Sequence, residues 1–151
     1  MTSMQIQGAV VAITGGGRGI GRAIAERLIA AGAQVAIGDI DEALAVQTGQ
    51  EIGAKGFAVD VRERASVERF IAATEAAYGP LEVLINNAGI MPAGDFLAET
   101  DAASDTQIDI NLRGVILGCK VALPGMVQRG RGHIVNLASM AGHLAVPGLA
   151  V

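Results

Sequence analysis

Thr14-Gly15-Gly16-Gly17-Arg18-Gly19-Ile20-Gly21 follows an apolar run, Ala9-Val10-Val11-Ala12-Ile13, and leads into Ile20-Gly21-Arg22-Ala23-Ile24, whose apolar residues have helical spacing. A strand, a glycine loop and a helix start in that order suit the pyrophosphate of a dinucleotide. Glycines let the backbone turn tightly and approach phosphate, and the first helical turn offers unpaired N–H groups at the positive end of the helix dipole. Glycine loops also occur as plain turns, so the octet alone leaves both readings open. Three features further along favour the first: Asp39 closes the next strand, Asn86-Asn87-Ala88-Gly89 closes another, and Ser139 follows a third.

Working outward, strands and helices alternate without repeats or low-complexity linkers, which implies right-handed crossovers and a parallel sheet. The first helix is expected over Ile20 to Ala31, with Ile20, Ala23, Ile24 and Leu28 on one face and Gly32 past its end. The pattern then predicts a strand at Gln34–Asp39, a helix at Asp41–Ile52, a strand at Gly56–Val59, a helix at Arg64–Tyr78 and a strand at Val83–Asn86. A loop of small and acidic residues precedes a helix expected over Ser104–Gln128, bent or interrupted near Pro124, whose ring does not fit a helix interior. Ile108, Leu112, Val115, Ile116, Cys119 and Met126 share one face of it, and Ile110, Leu117 and Val121 lie on another, so it needs cover on two sides. His133–Leu137 is the fifth strand, and the segment after it, to Val151, reads as a loop.

Composition agrees with that class. The 151 residues are 51% hydrophobic and only 3% aromatic, which suits the Val, Ile, Leu and Ala filling of strands covered on both faces. A net charge of −4 gives no electrostatic reason to expect nucleic acid or an anionic membrane. The single cysteine, Cys119, excludes an internal disulfide and fits a reducing, cytoplasmic setting. Ile134 to Val151 carries no charge, but Asn136, Ser139, Gly142, His143, Pro147 and Gly148 argue for strand and loop rather than a membrane span. His133 and His143 have no partners at metal-ligand spacing, so no metal site is expected.

Asp39 has two readings. Its carboxylate can accept hydrogen bonds from the adenosine ribose hydroxyls, or it can cap the helix that follows. In the first case it also repels a phosphate on that ribose, since like charges about 4 Å apart near a surface interact by about 4 kcal/mol. Arg18, within the glycine loop, pulls the other way by attracting a 2′-phosphate. Asp39 is fixed by its strand and Arg18 is mobile, which favours NAD over NADP. Asp60, with Val61 beside it, is open between adenine contact and a helix N-cap. Ser139 is open between substrate contact and a turn serine satisfying backbone groups.

The chain resembles the short-chain dehydrogenases/reductases, through the Thr-Gly-x-x-x-Gly-x-Gly pattern of Thr14 to Gly21 and through Asn86-Asn87-Ala88-Gly89. The resemblance implies a Rossmann-type doubly wound parallel sheet, of which these residues supply the first five strands of the family fold. It implies that Thr14, Gly15, Gly17, Arg18, Gly19, Ile20 and Gly21 hold the cofactor, with Asp39 at the ribose, Asp60 and Val61 at the adenine, and Asn87, Ala88 and Gly89 walling the adenosine side. It implies that Ser139 hydrogen-bonds the substrate, and that Asn111 bends the long helix and holds a water in the proton relay. The activity implied is reversible oxidoreduction of a small-molecule alcohol or ketone with NAD, in a homo-oligomer or in association with a C-terminal half.

One departure stands beside these matches. The family's Tyr-x-x-x-Lys follows the catalytic serine, and after Ser139 these residues contain neither a tyrosine nor a lysine. Residues 1–151 are therefore expected to form an NAD(P)-binding Rossmann domain short of its C-terminal side and inactive by itself. A methyltransferase would lack the Thr14–Gly21 spacing and the Asn-Asn-Ala-Gly tetrapeptide, and a phosphate-loop NTPase would need Lys-Ser or Lys-Thr where Ile20-Gly21 stands. A non-catalytic dinucleotide-binding or interaction fragment remains the alternative.

Overall fold

Five parallel strands lie in the order β3-β2-β1-β4-β5 in the computed structural model, which describes residues 5–149. In chain order they are β1 (Val10–Thr14), α1 (Gly19–Ala30), β2 (Gln34–Asp39), α2 (Glu42–Ile52), β3 (Lys55–Ala58), α3 (Arg64–Tyr78), β4 (Val83–Asn86), α4 (Asp101–Ile108), α5 (Gly114–Gln128) and β5 (His133–Asn136). Ala150 and Val151, the end of the loop expected after β5, lie outside the described residues. The chain builds outward from β1 to β3, then returns to the other side of β1 for β4 and β5. The reversal between β1 and β4 is where an open α/β sheet leaves a crevice at the strands' carboxyl ends.

The strands form where β-branched residues alternate between two faces, and both faces of the central strands β1, β2 and β4 are covered. Val10 and Ala12 of β1, Ala36 of β2 and Leu84 of β4 point to one side, packed with Val67, Phe70 and Ile71 of α3 and Ala122 and Met126 of α5. Val11, Ile13, Val35, Ile37, Val83 and Ile85 point to the other, against Ala25, Ile24, Leu28 and Ile29 of α1 and Ile52 of α2. The register is fixed by this two-sided burial: Ile13 pairs with Ile37 and with Ile85 across the three central strands. A one-residue slip would exchange the two sets of side chains. Local signals set the helix ends as well. Asp41 caps α2 by accepting from the Leu44 N–H at 3.0 Å, and Gly53 ends it with φ +81°.

The long helical run departs from expectation in three ways. It begins at Asp101, capped by Thr100, rather than at Ser104. It stays α-helical through Pro124; the irregularity is a π-helical turn, Asp109–Arg113, centred on Asn111. Pro124 sits among exposed neighbours, Lys120 and Leu123, where water can serve the carbonyl left without a donor. The face turned inward is a stripe of small residues ending in Met126, namely Gly114, Gly118 and Ala122, all buried against α3 and β4. A methyl on Gly114 would sit 2.9 Å from Val61, and one on Gly118 would collide with Asn86. Ile108, Leu112, Ile116, Leu123 and Val127 are exposed. By length and composition alone Asp101–Gln128 could cross a membrane, with a mean hydropathy of 1.4 in its apolar window.

Candidate functional site

A cleft of about 320 Å³ opens at the carboxyl ends of β1, β2, β3 and β4, lined by Gly15, Arg18, Asp39, Asp60, Val61 and the segment Asn87–Ile90, with apolar cover from Ile20, Ile40, Val59 and Ile110. Its position follows from topology, since it lies on the glycine loop beside the point where strand order reverses.

The glycine loop is shaped from below. Gly15 has φ +64°, and a Cβ there would stand 2.9 Å from the Ala88 Cα, so only glycine brings β1 and β4 this close. Thr14 and Asn87 stitch the two strand ends together. The Thr14 Oγ1 accepts the N–H groups of Asn87 and Ala88, each at 3.1 Å, and the Asn87 amide donates to the carbonyls of Thr14 and Gly15 at 2.9 and 3.0 Å. Gly21 of α1 packs against the Gly15 carbonyl and the Asn87 amide with no room for a side chain. Thr14, Gly17, Gly19 and Gly21 thus shape the loop without lining the cleft. Asn87 acts as a staple as much as a wall.

Asp39 is buried, and it does not cap α2, a role taken by Asp41. Its Oδ2 accepts the Gly17 N–H at 3.1 Å and its Oδ1 accepts the Asp41 N–H at 3.3 Å. Each oxygen keeps a second lone pair for a ligand hydroxyl. Arg18 is the N-cap residue of α1, exposed, and no side chain caps the first helical turn. The backbone donors of that turn are left without a side-chain acceptor, as an anion would need them. Among the described residues Arg18 forms no ion pair.

Asp60 does not cap α3 either; that position is Glu63. Its carboxylate is held by Arg62, whose guanidinium donates at 2.6 Å to Oδ2 and at 3.0 Å to Oδ1, while the Arg62 N–H donates to Oδ1 at 3.0 Å. The side-chain hydrogen bonds from Arg62 hold the Asp60 carboxyl below the usual aspartate range. The Asp60 N–H in turn donates to Ser66 at 3.0 Å.

Asn111 occupies the π turn and clamps the loop after β4. Its Oδ1 accepts the Ile90 N–H at 2.9 Å and its Nδ2 donates to the Ile90 carbonyl at 2.8 Å. Its side chain is therefore committed to fixing that loop at the cleft mouth. Ser139 follows β5 at the same edge of the sheet, exposed, and its Oγ accepts the Ala141 N–H at 3.1 Å, capping a short 3-10 turn at Met140–Gly142. The turn reading of Ser139 holds, and the hydroxyl hydrogen remains free to donate outward. β4 and β5 are tied by Asn86, buried, whose Nδ2 donates to the Asn136 Oδ1 at 2.8 Å.

The apolar lining residues Ile40, Val59 and Ile110 were not anticipated. Ile40 carried a signal, since it directly follows the strand-closing Asp39. Ile110 did not, because only the π turn aims it at the cleft.

A family model described as short chain dehydrogenase matches residues 9–151. The chain is 41% identical over 154 residues to 2-(S)-hydroxypropyl-CoM dehydrogenase 3 of Xanthobacter autotrophicus, covering 98% of this chain and 60% of that protein. It is 40% identical over 146 residues to 2,5-dichloro-2,5-cyclohexadiene-1,4-diol dehydrogenase of Sphingobium indicum, covering 94% of this chain and 58% of that one. A crystal structure of a short chain dehydrogenase/reductase from Burkholderia phymatum in complex with NAD superposes with a TM-score of 0.91 at 33% identity, covering 97% of this chain and 54% of that chain. The chain thus spans between half and three-fifths of the length of these proteins.

Proposed function

The chain belongs to the short-chain dehydrogenase family, and from that premise we propose that it is the NAD-binding portion of an oxidoreductase that moves a hydride between nicotinamide and a small alcohol or carbonyl compound. The observation that carries the cofactor reading is Asp39, buried at the cleft with one lone pair free on each oxygen. The relative solved with NAD supports it.

The cleft fits a dinucleotide. The α1 N-terminus has no side-chain cap, and Gly15 and Gly21 let β1, α1 and β4 pack closely beneath the cleft where a side chain would force them apart. The N-terminal turn of α1, with Ile20 at the cleft wall, would hold the pyrophosphate, Asp39 the adenosine ribose, and Asp60 and Val61 the adenine edge. When bound, the nicotinamide supplies the hydride carrier, and the protein supplies orientation and proton handling. Asn111 fixes the Ile90 backbone and with it the loop that covers the cleft. Ser139 offers a hydroxyl proton to a substrate oxygen while its lone pair stays on the Ala141 N–H.

Residues 1–151 taken alone are expected to turn over no substrate. Tyr78, their one tyrosine, ends α3, and burial pushes its phenol above the ordinary value, against what an acid/base needs. Calorimetric titration of the chain with NAD and NADP tests the reading. Tighter binding of NAD is expected, and equal affinities would remove Asp39 from the role given it.

A further inference from the structure

Resting on that cofactor reading, we propose that Thr48, on the buried face of α2 and outside every motif, is a positioning residue for the adenosine end of the dinucleotide.

Among the described residues three threonines lie inside helices. Thr74 and Thr106 return their hydroxyls to their own helix, donating to the carbonyls of Phe70 and Ala102 four residues back, as helical threonines commonly do. Thr48 does not. Its hydroxyl crosses to the glycine loop and donates to the Gly17 carbonyl at 2.8 Å, and the residue is 2% exposed.

Gly17 has no side chain through which packing could hold it. A Cβ there would lie 2.9 Å from the Asp39 Oδ2 and 3.0 Å from Leu44. Its two soft torsions are instead fixed by a hydrogen bond on each flanking peptide. The Gly17 N–H, in the peptide before it, donates to the Asp39 Oδ2, and the Gly17 carbonyl, in the peptide after it, accepts from Thr48. Releasing the carbonyl frees the torsions that aim the N–H at Asp39. The carboxylate then loses one of the two donors that set its orientation toward the ribose. Thr48 therefore acts on the ribose through Gly17 and Asp39 without reaching the cleft, of which it is not a lining residue.

The test compares the full chain with T48V, which keeps the shape and deletes the donor, and T48S, which keeps the donor. NAD and NADP dissociation constants are measured by calorimetry, and thermal unfolding is followed in parallel. T48V is expected to bind NAD about fivefold more weakly, the size of one lost internal hydrogen bond. Its preference for NAD over NADP should narrow, and T48S should restore both. T48V with unchanged affinity and preference overturns the proposal and leaves the cofactor reading intact. A uniform loss for both cofactors that T48S does not restore also overturns it, since that is the signature of a packing role. Absence of NAD binding by the unmutated chain overturns the reading and the proposal together. Amide exchange of Gly17 in the ligand-free, unmutated chain needs no variant: slow exchange is expected, and exchange as fast as that of the exposed Gly19 overturns the proposal even if T48V fails to fold.

Discussion

β1 and β5 belong to the same parallel sheet, with β4 between them, yet all five residues of β1 are buried and none of the four in β5 is. The same division runs through the site. On the β1 side two sets of hydrogen bonds, Thr14 with Asn87 and Gly17 with Asp39 and Thr48, hold the two ends of the glycine loop. On the β5 side, Ser139 is exposed, Val135 is 45% exposed on an edge strand, and the π turn and α5 turn Leu112, Ile116, Leu123 and Val127 to solvent. In the function proposed, the residues assigned to the adenosine half are thus preorganised by the chain's own core, while those assigned to the chemistry rest on an exposed surface.

The sharpest contrast should be in stability. Phe70, packed against β1 and β2 at 1% exposure and tilted on Phe57 with ring centroids 6.1 Å apart, is expected to cost about 3–5 kcal/mol as Phe70→Ala. Val135→Ala on β5 should stay within about 0.5 kcal/mol, as for substitutions at exposed positions. Urea unfolding of both variants measures this. Equal losses would mean that the β5 side is as tightly covered as the β1 side.

Next in size is Asp39→Ala, which strips a buried acceptor from the Gly17 and Asp41 N–H groups. Hydrogen bonds to a charged group contribute about 1.5–3 kcal/mol each. We expect a stability loss in that range, together with a narrowed or reversed preference for NAD over NADP. A variant that loses neither would show that the preorganisation described for this half of the molecule is not energetic.

The two halves were also unequally legible in the sequence. Asp39, the glycine octet and Asn87 were readable because each stands at a fixed offset from a strand whose apolar run marks its end. Thr48 was not, because a threonine in a helix signals nothing until the fold brings α2 over the loop. Asn111 could be placed only by resemblance; its partner is the backbone of Ile90, and the π turn that aims it leaves no trace in hydropathy. The inward face of α5 was not legible for a related reason. Large apolar residues mark two faces of the run without choosing between them, whereas close approach to β4 selected Gly114, Gly118 and Ala122, whose value is their lack of volume.

That exposed face of α5 yields a smaller effect on the fold and a clear one on assembly. We propose that it meets another copy of the chain or further polypeptide of the same protein. Ile116→Asp should shift sedimentation toward the monomer, while unfolding free energy changes by no more than about 0.5 kcal/mol and NAD affinity is unaltered. Unchanged sedimentation would leave the β5 side uncovered by any self-association through this helix.

The smallest expected effect lies at the rim of the cleft, on the preorganised side, and it depends on pH. Arg62 holds the Asp60 carboxyl below its ordinary value of 3.8, so the folded state releases this proton more readily than the unfolded state. By linkage, the stabilisation is present above that ordinary value and is lost as pH falls through the lower, folded one. Asp60→Asn should therefore melt slightly below the unmutated chain at neutral pH, and the gap should close on acidification past 3.8. The pair is partly solvent-exposed, so high salt should narrow the gap as well. A gap that persists in acid and in salt would assign Asp60 to the Arg62 backbone N–H, which an asparagine oxygen can also accept, and would make the ion pair a bystander in fixing the cleft.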